Sequence, residues 1–140
     1  KLVGAMGSFW YGRGYHTEGR RWIQRVLEEA SNYATVTRVK ALHRAGQFAF
    51  AQGDSEEADR LHAESLDLAH RLGDDRGVAA ALSGLAIVAR NRTDFERAEA
   101  LYSKCLDCRE RSGDEPGVMQ SLADLGVVFC RQCDYEKAKV

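Results

Sequence analysis

The chain has 140 residues, 44% of them hydrophobic and 29% charged, a composition that fits an ordinary folded domain and excludes a disordered one. Lys plus Arg number 20 and Asp plus Glu 21, a net charge of −1, so the whole-domain positive field of a nucleic-acid binder is missing. No apolar run approaches the roughly 18 residues that a membrane span needs, and no charged-then-apolar leader is read at the start.

Residues 1 to 12 carry Leu2, Val3, Ala5, Met6, Phe9 and Trp10 at three- and four-residue steps, the apolar stripe of a helix that Gly12 and Gly14 end. From Tyr15 to about Ala30 a second helix places Trp22, Ile23, Val26 and Leu27 on one side and Arg20, Arg21, Arg25, Glu28 and Glu29 largely on the other. Ser31 to Thr35 is a polar connector. Val36, Val39, Leu42, Ala45, Gly46 and Ala49 then mark a helix to about Gln52, closed by Gly53 in the left-handed region.

Asp54 is placed to accept from the amides of the next turn while Glu57 reaches back, the reciprocal pattern of a capping box. The helix so opened runs through Ala58, Leu61, Leu66, Leu68 and Leu72 to Gly73. Asp74 caps the next, which uses Val78, Ala81, Leu82, Leu85, Ala86 and Ala89 and ends near Asn91 or Arg92. Thr93 stands there instead of a closing glycine, so Asn91 or a water is expected to satisfy the end. Asp94 reopens the pattern, Ala98, Leu101, Tyr102, Cys105 and Leu106 carry it to Gly113, and Asp114 caps a helix with Pro116 in its first turn. Leu122, Leu125, Gly126 and Phe129 follow, and Asp134 is expected to open one last helix, cut short at Val140.

The segment Gln52-Gly53-Asp54-Ser55-Glu56-Glu57-Ala58 returns forty residues on as Arg92-Thr93-Asp94-Phe95-Glu96-Arg97-Ala98, and again as Gln132-Cys133-Asp134-Tyr135-Glu136-Lys137-Ala138. A fixed period of this length signals stacked supersecondary units. Small residues return where paired helices approach closely: Gly7, Gly46, Ala86 and Gly126 in the first helices, Gly19, Ala58, Ala98 and Ala138 in the second. The expected fold is all-α, a right-handed superhelix of about three and a half stacked antiparallel helix pairs, with units at 1–33, 36–73, 74–113 and a truncated 114–140. Because Lys1 is not an initiator methionine and the last unit is cut, the sequence reads as a fragment of a longer chain.

The pattern resembles the tetratricopeptide repeat across nearly the whole chain. Its first-helix signature stands here as Leu42, Ala45, Gly46 and Ala49, as Leu82, Leu85, Ala86 and Ala89, and as Leu122, Leu125, Gly126 and Phe129. Its second-helix alanine is Ala58, Ala98 and Ala138. The usual spacing is about 34 residues, so this is a long variety with about six more per unit. Long repeats of this kind are similar to those of bacterial LuxR-type or MalT-like transcriptional regulators, and the opening Phe9-Trp10-Tyr11-Gly12-Arg13-Gly14-Tyr15 is similar to the segment that begins such arrays.

The resemblance implies a concave face built from first helices, on which ligands lie. Groove positions carried over from the family are Ser8 and Tyr11, then Lys40, His43, Gln47 and Phe50, then Ser83, Ile87, Arg90 and Asn91, and last Asp124, Val127 and Arg131. Arg90, Asn91 and Arg131 suit a carboxylate or peptide backbone, and Phe50, Ile87 and Val127 supply apolar contact. His43 and Gln47 stand where some relatives place a Lys-and-Asn carboxylate clamp.

Cys105-x-x-Cys108 and Cys130-x-x-Cys133, with 21 residues between the pairs, have nearly the spacing of a zinc ribbon. The repeat gives a competing account, since Cys105 occupies the place of Ser65, Cys108 that of Leu68, Cys130 that of Phe50 and Cys133 that of Gly53. Buried cysteine as a small hydrophobe explains the first two without metal, and no metal or other cofactor is expected. Four cysteines on helical stretches do not read as a secreted disulfide framework either, so a reducing cytoplasm is expected. His62 aligns with Tyr102 and reads as a packing residue. The chain has no phosphate loop and no nucleophile elbow, so no enzyme is expected.

The expected function is a scaffold that binds a protein or peptide, the sensor or interaction region of a larger bacterial regulator, touching neither nucleic acid nor membrane. The alternative is a module for assembly or autoinhibition that engages other domains of its own chain or a second copy, with no external ligand.

Overall fold

The structure, a computed structural model, describes residues 16–29 and 35–139. Among these residues it consists of six α-helices and no strand: α1 (His16–Glu29), α2 (Val36–Ala51), α3 (Ser55–Leu72), α4 (Asp75–Asn91), α5 (Phe95–Arg111) and α6 (Glu115–Lys139). The expected helix over residues 1–12, with Gly7, Ser8 and Tyr11, lies outside the described residues. Each helix packs on its neighbours in sequence, and α2 also touches α4, so α2–α3 and α4–α5 form antiparallel pairs stacked side by side. Helices α2, α4 and α6 make one layer, α1, α3 and α5 the other. No described helix is long and apolar enough to cross a membrane.

Local chemistry sets most boundaries. The side chains of Asp54, Asp74 and Asp94 accept from the backbone amides of Glu57, Gly77 and Arg97, and Asp114 accepts from Gly117 at 3.1 Å. Each satisfies an amide that the first helical turn leaves unpaired, worth about 1 kcal/mol. The capping box at Asp54 is not reciprocal. Glu57 instead holds Arg60, whose Nε and Nη2 donate to its carboxylate at 2.9 and 2.8 Å, and this pairing keeps the Glu57 carboxyl below its ordinary pKa.

The C-terminus of α2 closes as expected, with Gly53 at φ 80°, its amide donating to Phe50 O and that of Asp54 to Ala49 O. At the end of α4 the expectation fails in an instructive way. Thr93 itself adopts the left-handed region at φ 61° and makes the same two bonds one repeat later, to Arg90 O and from Asp94 to Ala89 O. A β-branched residue is strained there by roughly 1–2 kcal/mol. Its hydroxyl donates to Arg92 O at 2.6 Å, so neither Asn91 nor a water is needed.

The third recurrence makes no turn at all. Arg131 to Asp134 lie inside α6, which runs unbroken for 25 residues, so Asp134 does not cap a new helix. A break there would put Cys133 in the left-handed region and interrupt several backbone bonds, costs that only a second helix packing back on the first would offset. Tyr135 instead meets the ring of Phe95 edge-on, with centroids 5.7 Å apart. Consequently Gly126 has no neighbour for an added Cβ within 4 Å and Ala138 is exposed, whereas Ala58 and Ala98 are fully buried.

The core is a layer of small and medium apolar side chains between the helix rows, among them Ile23, Leu42, Phe48, Ala58, Leu61, Leu68, Val88 and Ala98. Ser65 Oγ donates to Val39 O at 3.0 Å, and Cys105 Sγ repeats the bond to Ala79 O at 3.2 Å. The thiol therefore does a hydroxyl's work one unit later. Between units, Arg97 on α5 reaches Asp59 on α3 at 3.2 Å, and Arg38 on α2 donates to Leu27 O of α1 at 2.9 Å.

Candidate functional site

Between α2 and α4, on the first-helix layer, lies a cavity of about 300 Å³. Helix α2 contributes His43, Gln47 and Phe50 at steps of four and three, one face of a helix. Helix α4 contributes Ala80, Ser83, Gly84 and Ile87 by the same rule, and Arg109 reaches in from α5. His62 rises from α3 behind this layer and completes the lining.

His62 sits where it does because two glycines admit it. A Cβ on Gly46 of α2 would lie 2.7 Å from its ring, and one on Gly84 of α4 would lie 2.5 Å away. Neither contact is sterically possible, so both helix backbones close on the imidazole as if on a wedge. The His62 ring is 2% exposed and stands 5.0 Å from that of His43, tilted by 53°. The Nδ1 atoms of both rings are buried without a hydrogen-bond partner.

Burial, with the neighbouring His62 and then Arg44 adding positive charge, lowers the His43 pKa to about 3. Burial lowers that of His62 to about 4, against a small opposing pull from Asp59. Both rings are therefore neutral at physiological pH. Arg109 donates from Nη1 to Gly117 O at 2.9 Å and to Ser121 Oγ at 2.8 Å, and its Nε is 4.0 Å from Asp114. No carboxylate lines the cavity.

Of the residues expected from sequence, the structure brings His43, Gln47, Phe50, Ser83 and Ile87 together here. Lys40 is exposed on α2, Arg90 half-buried and Asn91 exposed near the end of α4, and Asp124 half-buried with Val127 and Arg131 exposed on α6. None of these six lines the cavity. Tyr11 lies outside the described residues. Sequence reasoning placed His62 among packing residues, which its burial bears out, and missed its second position as cavity lining. It also missed Gly84 and Arg109. The signal for Gly84 was a mid-helix glycine that does not recur at the repeat period, its counterpart being Asp124.

The four cysteines are not gathered. Cys105 and Cys108 are buried on α5, where burial raises both thiol pKa values, while Cys130 and Cys133 are exposed on α6. Among the described residues no group of three or more His, Cys, Asp or Glu side chains is placed to hold a metal ion.

No curated protein matches the chain. Solved structures do. BtubC from P. vanneervenii superposes with a TM-score of 0.83 at 16% identity, covering 99% of this chain and 58% of that one. A Rap protein complexed with Competence and Sporulation Factor gives 0.85 at 17% identity, covering 97% and 38%, and the apo form of RapI gives 0.84 at 16%, covering 97% and 50%. At these identities the likeness speaks for the fold, and the chain spans about two fifths to three fifths of those proteins' lengths. In sequence, residues 37–111 and 77–139 match the tetratricopeptide repeat. With most of its length matched and its helices paired and stacked in the same manner, the chain belongs to the tetratricopeptide repeat family.

Proposed function

We propose that the chain is a binding scaffold for a protein or peptide, without chemistry of its own, and serves as the sensor or interaction region of a larger bacterial signalling or transcriptional regulator in the cytoplasm. The observation that carries this reading is the cavity on the first-helix layer, where apolar walls from Phe50 and Ile87 flank polar groups from His43, Gln47 and Ser83. A few placed polar groups in an apolar cleft are what ligand recognition needs. That one similar structure holds Competence and Sporulation Factor supports a recognition role for the fold. In this reading the partner favours one packing of neighbouring domains over another and so shifts their populations.

The test is selection of peptides from a displayed random library, followed by affinity measurement on the winners. Arg90→Glu with Arg131→Glu, on the first helices outside the cavity, and Ile87→Glu, in its wall, are expected to weaken binding at least tenfold with helicity unchanged. Undiminished binding by both would overturn the groove assignment.

A second reading, assembly or autoinhibition, draws on α6. Met119 is 68%, Leu122 50% and Phe129 47% exposed, a contiguous apolar face of the kind that marks contact surfaces. Sedimentation of a chain extended through complete repeats tests it, and a strictly monomeric result would count against it.

A further inference from the structure

One face of α6 is bare and patterned. Met119, Leu122, Gly126, Phe129, Cys130 and Cys133 recur at three- and four-residue steps, all within about 60° of Gly126 around the helix axis, and all are exposed. The matching positions of α2 and α4 are covered, with Leu42, Ala49, Leu82 and Ala89 buried. Tyr135, on the opposite side of α6, turns to Phe95, and the helix runs straight on to Lys139 without folding back over the stripe. An added Cβ at Gly126 meets nothing within 4 Å, so this glycine serves no contact inside the chain and leaves the middle of the stripe open to close approach by another helix. Charge closes the stripe at both ends. Glu115 lies one turn before Met119 and Lys137 one turn beyond Cys133, both exposed, and neither has an ion-pair partner among the described residues.

What fits this stripe is the stripe itself. In an antiparallel pair with a twofold axis at Gly126, each residue before the glycine faces the residue equally far beyond it in the other copy. Phe129 then faces Ala123, Leu122 faces Cys130 and Met119 faces Cys133, a large side chain on a small one each time, and two glycines meet at the crossing. Glu115 and Lys137, eleven positions before and eleven after, face each other twice. A parallel copy in the same register would set Glu115 on Glu115 and Phe129 on Phe129, so charge and size both select the antiparallel one. Ridges packed into grooves at about 20° keep two helices in contact over such a length. We propose that this face of α6 is a homodimer interface, on which α6 of a second copy packs antiparallel across Gly126. The assignment rests on the second reading above, of α6 as a contact face, and names its partner.

The experiment is sedimentation equilibrium of the full chain with exchanged charges. Glu115→Lys and Lys137→Glu are each expected to weaken dimerisation about fivefold, and the double exchange to restore it. The two residues stand about 33 Å apart along one helix, so only contact between copies couples them. Gly126→Leu, whose added Cβ meets nothing in its own chain, is expected to weaken dimerisation about tenfold with helicity kept. Absence of recovery in the double exchange overturns the antiparallel pairing. A dimer that neither the charge variants nor Gly126→Leu weaken overturns the proposal and leaves assembly through another face standing. A monomer whose Cys130 and Cys133 resist alkylation overturns it in favour of cover by a flanking segment of the same chain. A monomer in which both thiols react freely overturns assembly through α6 altogether.

Discussion

Two successive junctions between repeats use the same positions and end differently. His62 on α3 enters between α2 and α4, facing Gly46 and Gly84. Forty residues later Tyr102 on α5 holds the matching place, with Ala86 and Asp124 where the glycines were, and it is fully buried. The tyrosine is buried at its junction, whereas the imidazole, shorter and flanked by bare backbone, lines a cavity. The solenoid thus varies its surface without changing its frame, because one side chain from the rear layer sets how each gap in the front layer is closed. A repeat protein is close to a sum of units and interfaces, so such a change stays local.

The sharpest way to break the comparison is to remove one glycine. Gly84→Val drives a branched side chain into the His62 ring, and a loss of about 3 kcal/mol is expected from chemical unfolding. Adding His62→Ala should recover at least half of it, since the clash has a single partner. Full additivity of the two changes would show that the ring is not what the glycine accommodates.

Acid and base are expected to separate the junctions next. Both histidines have folded pKa values below the unfolded value of about 6.5, so the unfolded chain binds more protons and stability falls as pH drops below that value, down towards 4. From pH 7 to pH 5 the pair is expected to cost about 2 kcal/mol after relaxation, read as a falling denaturation midpoint that His62→Gln partly flattens. Tyr102 has the opposite sense. Burial raises its pKa to about 12, so its contribution is intact below pH 10 and is lost as pH rises towards 12. A midpoint that is flat between pH 7 and 5 would contradict neutral buried rings at the first junction.

The smallest effect compares the bonds beside the wedges. Ser65→Ala removes the hydroxyl that serves Val39 O and should cost about 1 kcal/mol in melting experiments, whereas Cys105→Ser keeps the bond to Ala79 O and should cost less. A larger loss for Cys105→Ser than for Ser65→Ala would mean that the two positions are not equivalent.

Much of the fold is written in local signals. Asp54, Asp74, Asp94 and Asp114 act within three residues of themselves, so their caps are visible in the sequence, as is Gly53. The fate of Asp134 is not local: the same cap signal competes with a continuous helix, and packing decides. The site divides in the same way. His43, Gln47, Phe50, Ser83 and Ile87 follow from helical spacing on the first helices, while His62, Gly84 and Arg109 enter through contacts between units that the repeat period does not preserve. Thr93 shows the converse, a poor residue for a left-handed turn held there because the frame on both sides demands the turn.

Considered mechanically, α6 is a strut roughly 38 Å long at 1.5 Å per residue. Its first half is clamped to α5 by Arg109 through Gly117 and Ser121, and its far half leans on Phe95 through Tyr135. A beam held in this way yields beyond its clamp, and the stretch from Arg131 to Asp134 lies in that far half. Load applied at the tip therefore concentrates where the sequence already carries the chemistry of a joint.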